Sequence, residues 1–428
     1  MEFIKNIFYN LEVLSKFFRF IQIKQITSLI TSYRIFLILI IIHYFFSSAL
    51  YSQDRLQFKF TPDSKQKIEC TINGKLFVNS VFYTDYKQEY KTIRTYGILE
   101  NNVSDIEESN FVYNIDINLN NNIREIADNY TVTYKKDPRG VLFVKYNALF
   151  PTLRNIPSFP DIPVKPGDVW EVNGFEVQDF FNNKEASIFP ITAKHRYIEL
   201  IEKDGKRIAK FSYEYSVSII NSPQYRINKR IDEINGISKT VVLFDIDAGT
   251  RIEEVYSRNY YISTGGNIHQ FVDGGKRVWS DIELLNKNQI KTDIEEDLKK
   301  NNIYETTVES DDRGIKITLE NILFEADSAV LRDTEATRLQ KISDLLKKYK
   351  DRGLLIVGHT TDRGSSDGRK KLSLERAKSV LDYLTILDAV NTDKSSYAGK
   401  GGEEPIADNN TPDGLKRNRR VEIFILEE

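Results

Sequence analysis

The feature that most constrains this fold is a long stretch of alternating apolar and polar residues, from about Gln53 to Leu285. Residues 111–119 and 211–219 show the pattern most clearly, with an apolar side chain at every second position. Alternation with a period of two places one face of a strand on a core and the other in water. The pattern therefore predicts an antiparallel β-rich domain over residues 53–285.

Dipeptides that favour tight turns separate several of these runs. Asn73-Gly74 and Asp204-Gly205 each lie between two apolar runs and predict type I′ hairpins. Two architectures fit the pattern: a soluble sandwich or half-open barrel, and an eight-stranded outer-membrane barrel with an apolar outer face. Charges on both faces of residues 250–261 favour the soluble form, because a lipid-facing charge costs about 2–4 kcal/mol.

The β-rich region offers no arrangement of side chains that predicts catalysis. The acidic pair Glu253-Glu254 is interpreted as part of a solvated strand face. His195 lies between Lys194 and Arg196 and is interpreted as an exposed strand residue. We therefore predict that the protein is not an enzyme and has no catalytic residues.

Composition excludes several classes of site and partner. A single cysteine, Cys70, leaves no intramolecular disulfide and no cysteine-based zinc cluster, and the four histidines leave little for a histidine metal site. The 60 Lys and Arg residues and 62 Asp and Glu residues give a net charge of −2. General nucleic-acid binders instead present a basic surface. We predict no cofactor, no metal and no nucleic-acid partner.

An apolar segment near the N-terminus predicts export. Residues 35–50 are nearly all apolar and follow a basic residue, and three small residues, 47–49, lie near their end. A membrane-spanning helix needs about 20 apolar residues, whereas a signal peptide needs a shorter apolar core, a basic flank and small residues at the cleavage site. We assign residues 1–52 to a signal peptide cleaved between Ala49 and Gln53, with an uncleaved N-terminal anchor as the alternative.

After residue 285 the pattern changes to helices that alternate with short strands. The predicted elements are a helical linker 286–308, a strand 314–320, a helix 334–350, a strand 354–357, a second helix beginning after Ser373, and strands 396–400 and 420–426. Ser373 is a good N-cap, and this start puts Arg376 in the first turn, where free backbone N–H groups favour a carboxylate. Alternating strands and helices predict a two-layer α/β domain over residues 309–428, so the chain is predicted to be an α+β multidomain protein.

Several short blocks in residues 310–428 resemble the OmpA-like peptidoglycan-binding domain. In chain order they are Gly314-Ile315, Ile322-Leu323-Phe324, Gly358-His359-Thr360, Leu372-Ser373-x-x-Arg376-Ala377, Gly399-x-Gly401-Gly402-Glu403, Pro405-Ile406, Asn410-Thr411-x-x-Gly414 and Asn418-Arg419-Arg420-Val421-Glu422. The resemblance implies a periplasmic module, associated with the cell wall or the outer membrane, that binds the peptide stem of peptidoglycan.

The resemblance also implies two ionic contacts with the diamino acid of the stem. In the family, the arginine of the Leu-Ser block pairs with the carboxylate of this diamino acid, and Arg376 matches that arginine. An arginine fork suits a carboxylate, and a carboxylate suits an ammonium. The family aspartate that pairs with the ammonium falls at Thr361, with Asp362 one position later, so either the loop shifts to bring Asp362 into the slot or a hydroxyl fills it. Arg369 stands where the family usually has asparagine.

The resemblance therefore yields a set of candidate binding residues. They are Arg376, Asp362, Thr361, Asp327, Arg369, Asn418 and Arg419. For His359 we expect a structural role, with the ring bonding the loop backbone. We expect Arg419 and Arg420 to brace the end of the sheet or to bind glycan weakly, rather than to contact the stem.

Together these features predict a non-enzymatic envelope protein that binds peptidoglycan and positions its β-rich domain in the periplasm. Outer-membrane or other envelope proteins are the further partners considered. Two alternatives stay open. One is a degenerate OmpA-like fold that serves as a protein-interaction module, and the other is a β domain that carries an apolar ligand such as a lipid in its interior.

Overall fold

The computed structural model describes residues 65–100, 103–114, 124–181, 183, 185–325 and 328–427. The predicted signal peptide with its cleavage site, and the candidate residue Asp327, lie outside these ranges. Residues 65–162 and 167–427 belong to one structural unit. In this part of the chain, no helix is both long and apolar enough to cross a membrane.

The β-rich region contains twelve strands within the described residues. They are β1 Gln66–Val78, β2 Val81–Glu100, β3 Val103–Asn114, β4 Arg124–Lys136, β5 Leu142–Val144, β6 Leu153–Arg154, β7 Val169–Gln178, β8 Ser187–Lys203, β9 Lys206–Ile220, β10 Glu233–Asp245, β11 Thr250–Thr264 and β12 Asn267–Asp281. From β1 to β5, and from β6 to β12, each strand pairs antiparallel with the next. Because β1 also pairs with β12, these strands form one continuous antiparallel sheet.

In strand β9 the apolar residues of the alternating pattern are the buried ones. Its odd-numbered residues are buried from Ala209 through Phe211 to Ile219, while the residues between them face outward. The turn before this strand is the predicted hairpin, with positive φ at both Asp204 (53°) and Gly205 (73°). The prediction of a β-rich chain is confirmed.

The hairpin predicted at Asn73-Gly74 is wrong. Strand β1 runs through both residues, and the chain reverses at Asn79 and Ser80, where φ is 49° and 66°. Gly74 serves close packing instead, because a Cβ at this position would lie 2.3 Å from the Tyr86 ring. In this strand the glycine of the dipeptide therefore makes room for the Tyr86 ring rather than for a turn.

Two side chains predicted to be exposed are buried. His195 has no exposed surface, and its ring stacks on Trp170 with 5.2 Å between ring centroids. Burial lowers the pKa of His195 to about 4. Glu254 is 1% exposed, although its neighbour Glu253 faces outward. Flanking charges marked His195 as a surface residue, but alternate positions of one strand point to opposite sides, so its neighbours face solvent while the ring faces inward.

The C-terminal region contains the helices of the described chain. Its elements are α1 Lys287–Lys300, β13 Thr306–Asp311, β14 Gly314–Glu320, α2 Asp333–Leu346 followed by a 3₁₀ turn Lys347–Tyr349, β15 Leu354–Gly358, α3 Ser366–Ile386, β16 Ser396–Gly399, α4 Pro412–Asn418 and β17 Arg420–Leu426. The strands pair in the order β13-β14-β17-β15-β16, antiparallel except for β15 with β16. The sheet is therefore mixed.

An aliphatic core joins the helices to one face of this sheet. The predicted helical stripes are buried, with Leu339 and Ile342 of α2 and Leu381 and Leu384 of α3 all at 0% exposure. Helix α1, in the segment predicted to be a linker, contributes Ile294 and Leu298 to the same cluster. The 3.6-residue periodicity thus identified the inward faces of α2 and α3.

The opposite face of the C-terminal sheet meets the β-rich region. Leu355, Phe424 and Leu426 cluster there with Ile126 of β4. Strand β16 pairs in parallel with β4, so hydrogen bonding continues from one sheet into the other.

Candidate functional site

The helix that carries Arg376 begins earlier than the sequence predicts. Helix α3 starts at Ser366, and its N-cap is Ser365, whose hydroxyl accepts a hydrogen bond from the Gly368 N–H at 3.2 Å. Arg376 therefore lies about three turns into the helix. The first-turn interpretation is wrong, and the free N–H groups of the helix start are remote from Arg376.

Ser373, the predicted N-cap, connects the helix to a glycine-rich turn. It has no exposed surface, and its hydroxyl donates to the Lys370 carbonyl and accepts from the Gly401 N–H, both at 2.8 Å. The Gly401 carbonyl in turn accepts from the Thr360 N–H at 2.8 Å. Ser373 thereby fixes the position of α3 relative to the loop that follows β15.

A backbone carbonyl and an aromatic ring help to hold Arg376 in place. Its Nε donates to the Ser328 carbonyl at 3.0 Å, and its guanidinium carbon lies 4.8 Å from the centre of the Phe324 ring. The side chain is half-buried. A planar guanidinium with one edge and one face engaged has a restricted orientation, which suits directional recognition of a carboxylate.

The loop after β15 carries the two candidates for the acidic position. Arg369 ties this loop down, since its Nη1 donates to the Asp362 carbonyl at 3.0 Å and to the Gly364 carbonyl. Gly402 allows close approach, because a Cβ there would lie 2.7 Å from the Thr361 carbonyl oxygen. Thr361 is half-buried and Asp362 is exposed. Among the described residues, no hydrogen bond or ion pair engages the Asp362 carboxylate.

A buried ionic cluster lies directly behind this loop. Glu422 accepts a hydrogen bond from Arg420 Nε at 2.8 Å, and its second oxygen lies 3.5 Å from His359 Nε2. Burial alone would raise the pKa of Glu422, but contact with His359 and Arg420 lowers it to about 2. Burial also lowers the pKa of His359.

The expected role of the His359 ring is not observed. Neither ring nitrogen makes a hydrogen bond within the described part of the chain; the backbone N–H of His359 instead donates to the Arg420 carbonyl at 3.0 Å. Arg420 is 2% exposed, and its Nε donates to Glu422, two residues further along β17. The cluster therefore supports the loop through the backbone of β15 and β17.

Asn418 is fully used within the protein. It has no exposed surface, and its oxygen accepts from the N–H groups of Ile406 and Ala407 at 2.8 and 3.0 Å. Its amide nitrogen donates to the Ala407 carbonyl and to Asn409. Arg419 follows as the C-cap of α4 and is half-buried.

The structure brings part of the predicted set together. Thr361, Asp362 and Arg369 share one loop, and Arg376 reaches the backbone of Ser328, the residue after Asp327. The sequence reasoning missed the orienting role of Phe324. The signal was present, because an aromatic residue closes the Ile-Leu-Phe block, and arginine commonly packs over aromatic rings.

Comparison with known proteins assigns this part of the chain. Residues 323–419 match the OmpA family. Over 105 residues the chain is 35% identical to the probable lipoprotein YiaD of Escherichia coli, which covers 24% of this chain and 48% of that protein. Over 104 residues it is 39% identical to the peptidoglycan-binding protein ArfA of Mycobacterium tuberculosis, covering 24% of this chain and 32% of ArfA.

A solved structure also aligns with part of this chain. An outer membrane protein from Borrelia burgdorferi B31 is 30% identical, and the alignment covers 28% of this chain and 96% of that one with a TM-score of 0.24. The chain spans less than half the length of YiaD and about a third of ArfA. The resemblance predicted from the sequence blocks is confirmed.

Proposed function

We propose, from the premise that residues 323–419 are an OmpA domain, that this protein is a non-enzymatic component of the cell envelope that binds peptidoglycan. Its relatives include envelope proteins, one of which is named as peptidoglycan-binding. The C-terminal domain would take the peptide stem of the wall and hold the β-rich region in the periplasm. The observation that carries this proposal is the fixed guanidinium of Arg376.

We assign the stem carboxylate to Arg376. The Ser328 carbonyl and the Phe324 ring set the direction of the guanidinium before a ligand arrives, so little side-chain freedom is lost on binding. Removal of one partner from a desolvated charge pair costs roughly 2–5 kcal/mol, or more than tenfold in affinity.

We assign the stem ammonium to Asp362 rather than Thr361. Asp362 is exposed, and Arg369 uses its backbone carbonyl while the described residues leave the carboxylate unengaged. A carboxylate attracts an ammonium more strongly than a neutral hydroxyl does. Arg369 then acts as a positioning residue, because it fixes the backbone at Asp362 and Gly364.

The remaining candidates divide by their contacts. We propose that Asn418 positions the 406–409 loop, because its amide is already saturated by that loop. Asp327 and Arg419 stay predicted ligand contacts.

We propose an architecture to match this function. A half-open barrel over residues 53–285 fits the sheet in which β1 pairs with β12. A two-layer α/β domain over residues 309–428 fits the packing of the helices on one face of the C-terminal sheet. The segment 286–308 would dock on that domain through Ile294 and Leu298.

Cosedimentation of the full chain with purified sacculi tests the carboxylate contact. Arg376→Ala should lower the apparent affinity for sacculi more than tenfold. Arg417→Ala is the matched control, because Arg417 is an exposed arginine of α4 that pairs with Glu320 at 2.9 Å. Equal losses in the two variants would contradict the assignment of Arg376.

The same assay separates the two loop candidates. Asp362→Ala should weaken binding strongly, whereas Asp367→Ala, an exposed acid in the first turn of α3, should not. If Asp362→Ala binds normally, Thr361 occupies the slot and Thr361→Asp should strengthen binding. If the wild-type chain binds no sacculi and Thr361→Asp does not restore binding, the domain is an interaction module and the wall-binding proposal is wrong.

A further inference from the structure

A cavity of about 250 Å³ lies inside the β-rich region, apart from the OmpA domain. Strands β1 to β4, β11 and β12 form much of its wall, and residues 140–157 line another side. Its size is just below the usual range for small-molecule sites and far exceeds the space that one water needs. The cavity is therefore large enough for a small ligand.

The buried guanidinium groups of this wall are paired with carboxylates. Arg94 donates to Glu108 at 2.6 Å. Glu254 accepts from Arg251 at 2.8 Å and from Arg277 at 3.1 Å. Buried charges are costly unless they are paired, and these pairs are made within the protein.

The other charged residues of the lining are also engaged. Arg258 pairs with Asp273 at 2.8 Å, and Asp179 accepts a hydrogen bond from the Asn183 N–H at 3.2 Å. Burial and neighbouring cations hold the pKa of Lys136 well below its usual range, which favours the uncharged amine. A ligand with a net charge would have to displace one of these partners, so the wall favours an uncharged ligand.

Three planar amides of the lining are each anchored at one end. Gln88 Oε1 accepts a hydrogen bond from a neighbouring tyrosine hydroxyl at 2.8 Å. Asn110 Oδ1 accepts from the Thr92 hydroxyl at 2.7 Å. Gln178 Nε2 donates to Glu176 at 2.8 Å. These hydrogen bonds fix the orientation of each amide plane at the cavity.

The opposite end of each amide has no hydrogen-bond partner among the described residues. These ends are the NH₂ groups of Gln88 and Asn110 and the carbonyl oxygen of Gln178. An amide NH₂ only donates hydrogen bonds, and a carbonyl oxygen only accepts them. Because buried polar groups are normally hydrogen-bonded, the cavity offers a ligand two donors and an acceptor. A hydroxyl group both donates and accepts, so it can satisfy either kind.

Aromatic rings complete the lining. Tyr90, Tyr130 and Trp279 all contribute to it. Trp279 is 7% exposed, and its Nε1 donor has no hydrogen-bond partner in the described part of the chain. Tyrosine and tryptophan combine a large apolar surface with a polar edge. The lining is therefore not the wholly apolar one that the lipid-carrier alternative expects.

We propose that this cavity binds a small uncharged polyhydroxylated molecule, a sugar or a cyclic polyol, through Gln88, Asn110 and Gln178. Its hydroxyl groups would accept from the first two amides and donate to the third, and the ion pairs of the wall would stay intact. Its C–H groups would pack on the aromatic rings. The site shares no residue with the loop and helix that carry Arg376, so its test is separate from the sacculus assay.

Isothermal titration calorimetry of the full chain tests the proposal. The probes are glucose, N-acetylglucosamine and myo-inositol, and cyclohexanol is the control because its six-membered ring carries a single hydroxyl. We expect saturable binding of at least one of the three probes and none of cyclohexanol. Failure of all three to bind, or tighter binding of cyclohexanol than of any of them, would overturn the proposal.

Glutamine variants test the position of the ligand. Gln88→Met and Gln178→Met should each weaken binding roughly fivefold, through the loss of one neutral hydrogen bond. Gln270→Met is the matched control, because Gln270 is another half-buried strand glutamine, outside the cavity lining, whose amide donates to Asn259 and Tyr261. Wild-type affinity in both Gln88→Met and Gln178→Met would show that the ligand binds elsewhere.

Tryptophan emission gives a second measurement that leaves the lining intact. Trp170 lies outside the cavity lining, so Trp170→Phe leaves Trp279 as the sole tryptophan and a reporter of the cavity. The probe that binds in calorimetry should change this emission with the same midpoint. Unchanged emission at saturation would place the ligand outside the cavity and overturn the proposal.

Discussion

In the C-terminal region the core between the helices and the sheet consists almost entirely of aliphatic side chains, and the ionic cluster of His359, Arg420 and Glu422 lies outside it, whereas the interior of the β-rich region buries charged side chains as well. Ile315, Ile356 and Leu381 represent the first kind, each with no exposed surface. Glu108 and Glu254 represent the second, at 2% and 1% exposure. The same chain therefore uses two different ways of filling an interior.

The difference matters for how each part responds to change. Aliphatic packing is non-directional, so a deletion there removes contacts and leaves a cavity. A buried ion pair adds little net stability over apolar packing, but loss of one partner leaves an uncompensated charge. We therefore expect the β-rich interior to depend on single charges and on pH, and the C-terminal core to depend on volume.

Both tryptophans, Trp170 and Trp279, lie in the β-rich region, so fluorescence reports the unfolding of that region alone. The helices lie in the C-terminal region of the described chain, so circular dichroism at 222 nm reports mainly on that part. Denaturant titrations read by the two signals test the comparison directly.

The largest expected effect is that of Glu254→Gln. This change leaves Arg251 and Arg277 without their shared carboxylate and should lower the free energy of unfolding by roughly 3–5 kcal/mol, read by fluorescence. Glu253→Gln is the control, because Glu253 pairs with Lys276 on the outer face and should contribute only about 0–1 kcal/mol. Similar losses in the two variants would mean that burial of the charge is not what distinguishes this interior.

Leu381→Ala should have the next largest effect, in the C-terminal core. Leu381 has no exposed surface on α3, and its truncation should cost about 2–5 kcal/mol, read from the ellipticity at 222 nm. Ile386→Ala, at a position 79% exposed on the same helix, should change stability by less than about 0.5 kcal/mol. A small loss at Leu381 would show that the helix layer contributes little to this domain.

The smallest effect concerns pH and His195. The folded-state pKa of His195 is about 4, below the unperturbed value of 6.5, so the unfolded chain takes up a proton first as the pH falls. Stability from the neutral ring is complete above pH 6.5 and is lost as the pH falls to about 4, by up to about 3 kcal/mol.

His195→Phe keeps the aromatic stack on Trp170 and removes the titration, so it should flatten this dependence. His269→Phe is the control and should retain the slope, because it leaves the buried His195 ring and its stack on Trp170 in place. The measurement is the free energy of unfolding against pH, read by fluorescence. If it falls equally steeply in the wild type and in His195→Phe, the buried imidazole is not the cause of the acid sensitivity.

The sequence alone predicted the elements whose signals are local. Alternation identified the inward residues of β9, and the 3.6-residue period identified Leu339 and Ile342 on α2 and Ala377 and Leu381 on α3. Strand pleating and helix pitch follow from the backbone geometry of neighbouring residues, so these patterns can be read without knowing the fold. The family blocks likewise identified Arg376 before its contacts were known.

The tertiary structure decided what distant residues control. Ser365 and Ser373 are both chemically able to cap α3, and contact with Gly401 determines that Ser373 lies inside the helix. Trp170 buries His195 from a neighbouring strand. A local pattern shows that alternate residues face opposite ways, but only the packed partners determine which side becomes interior and which charges it must neutralise.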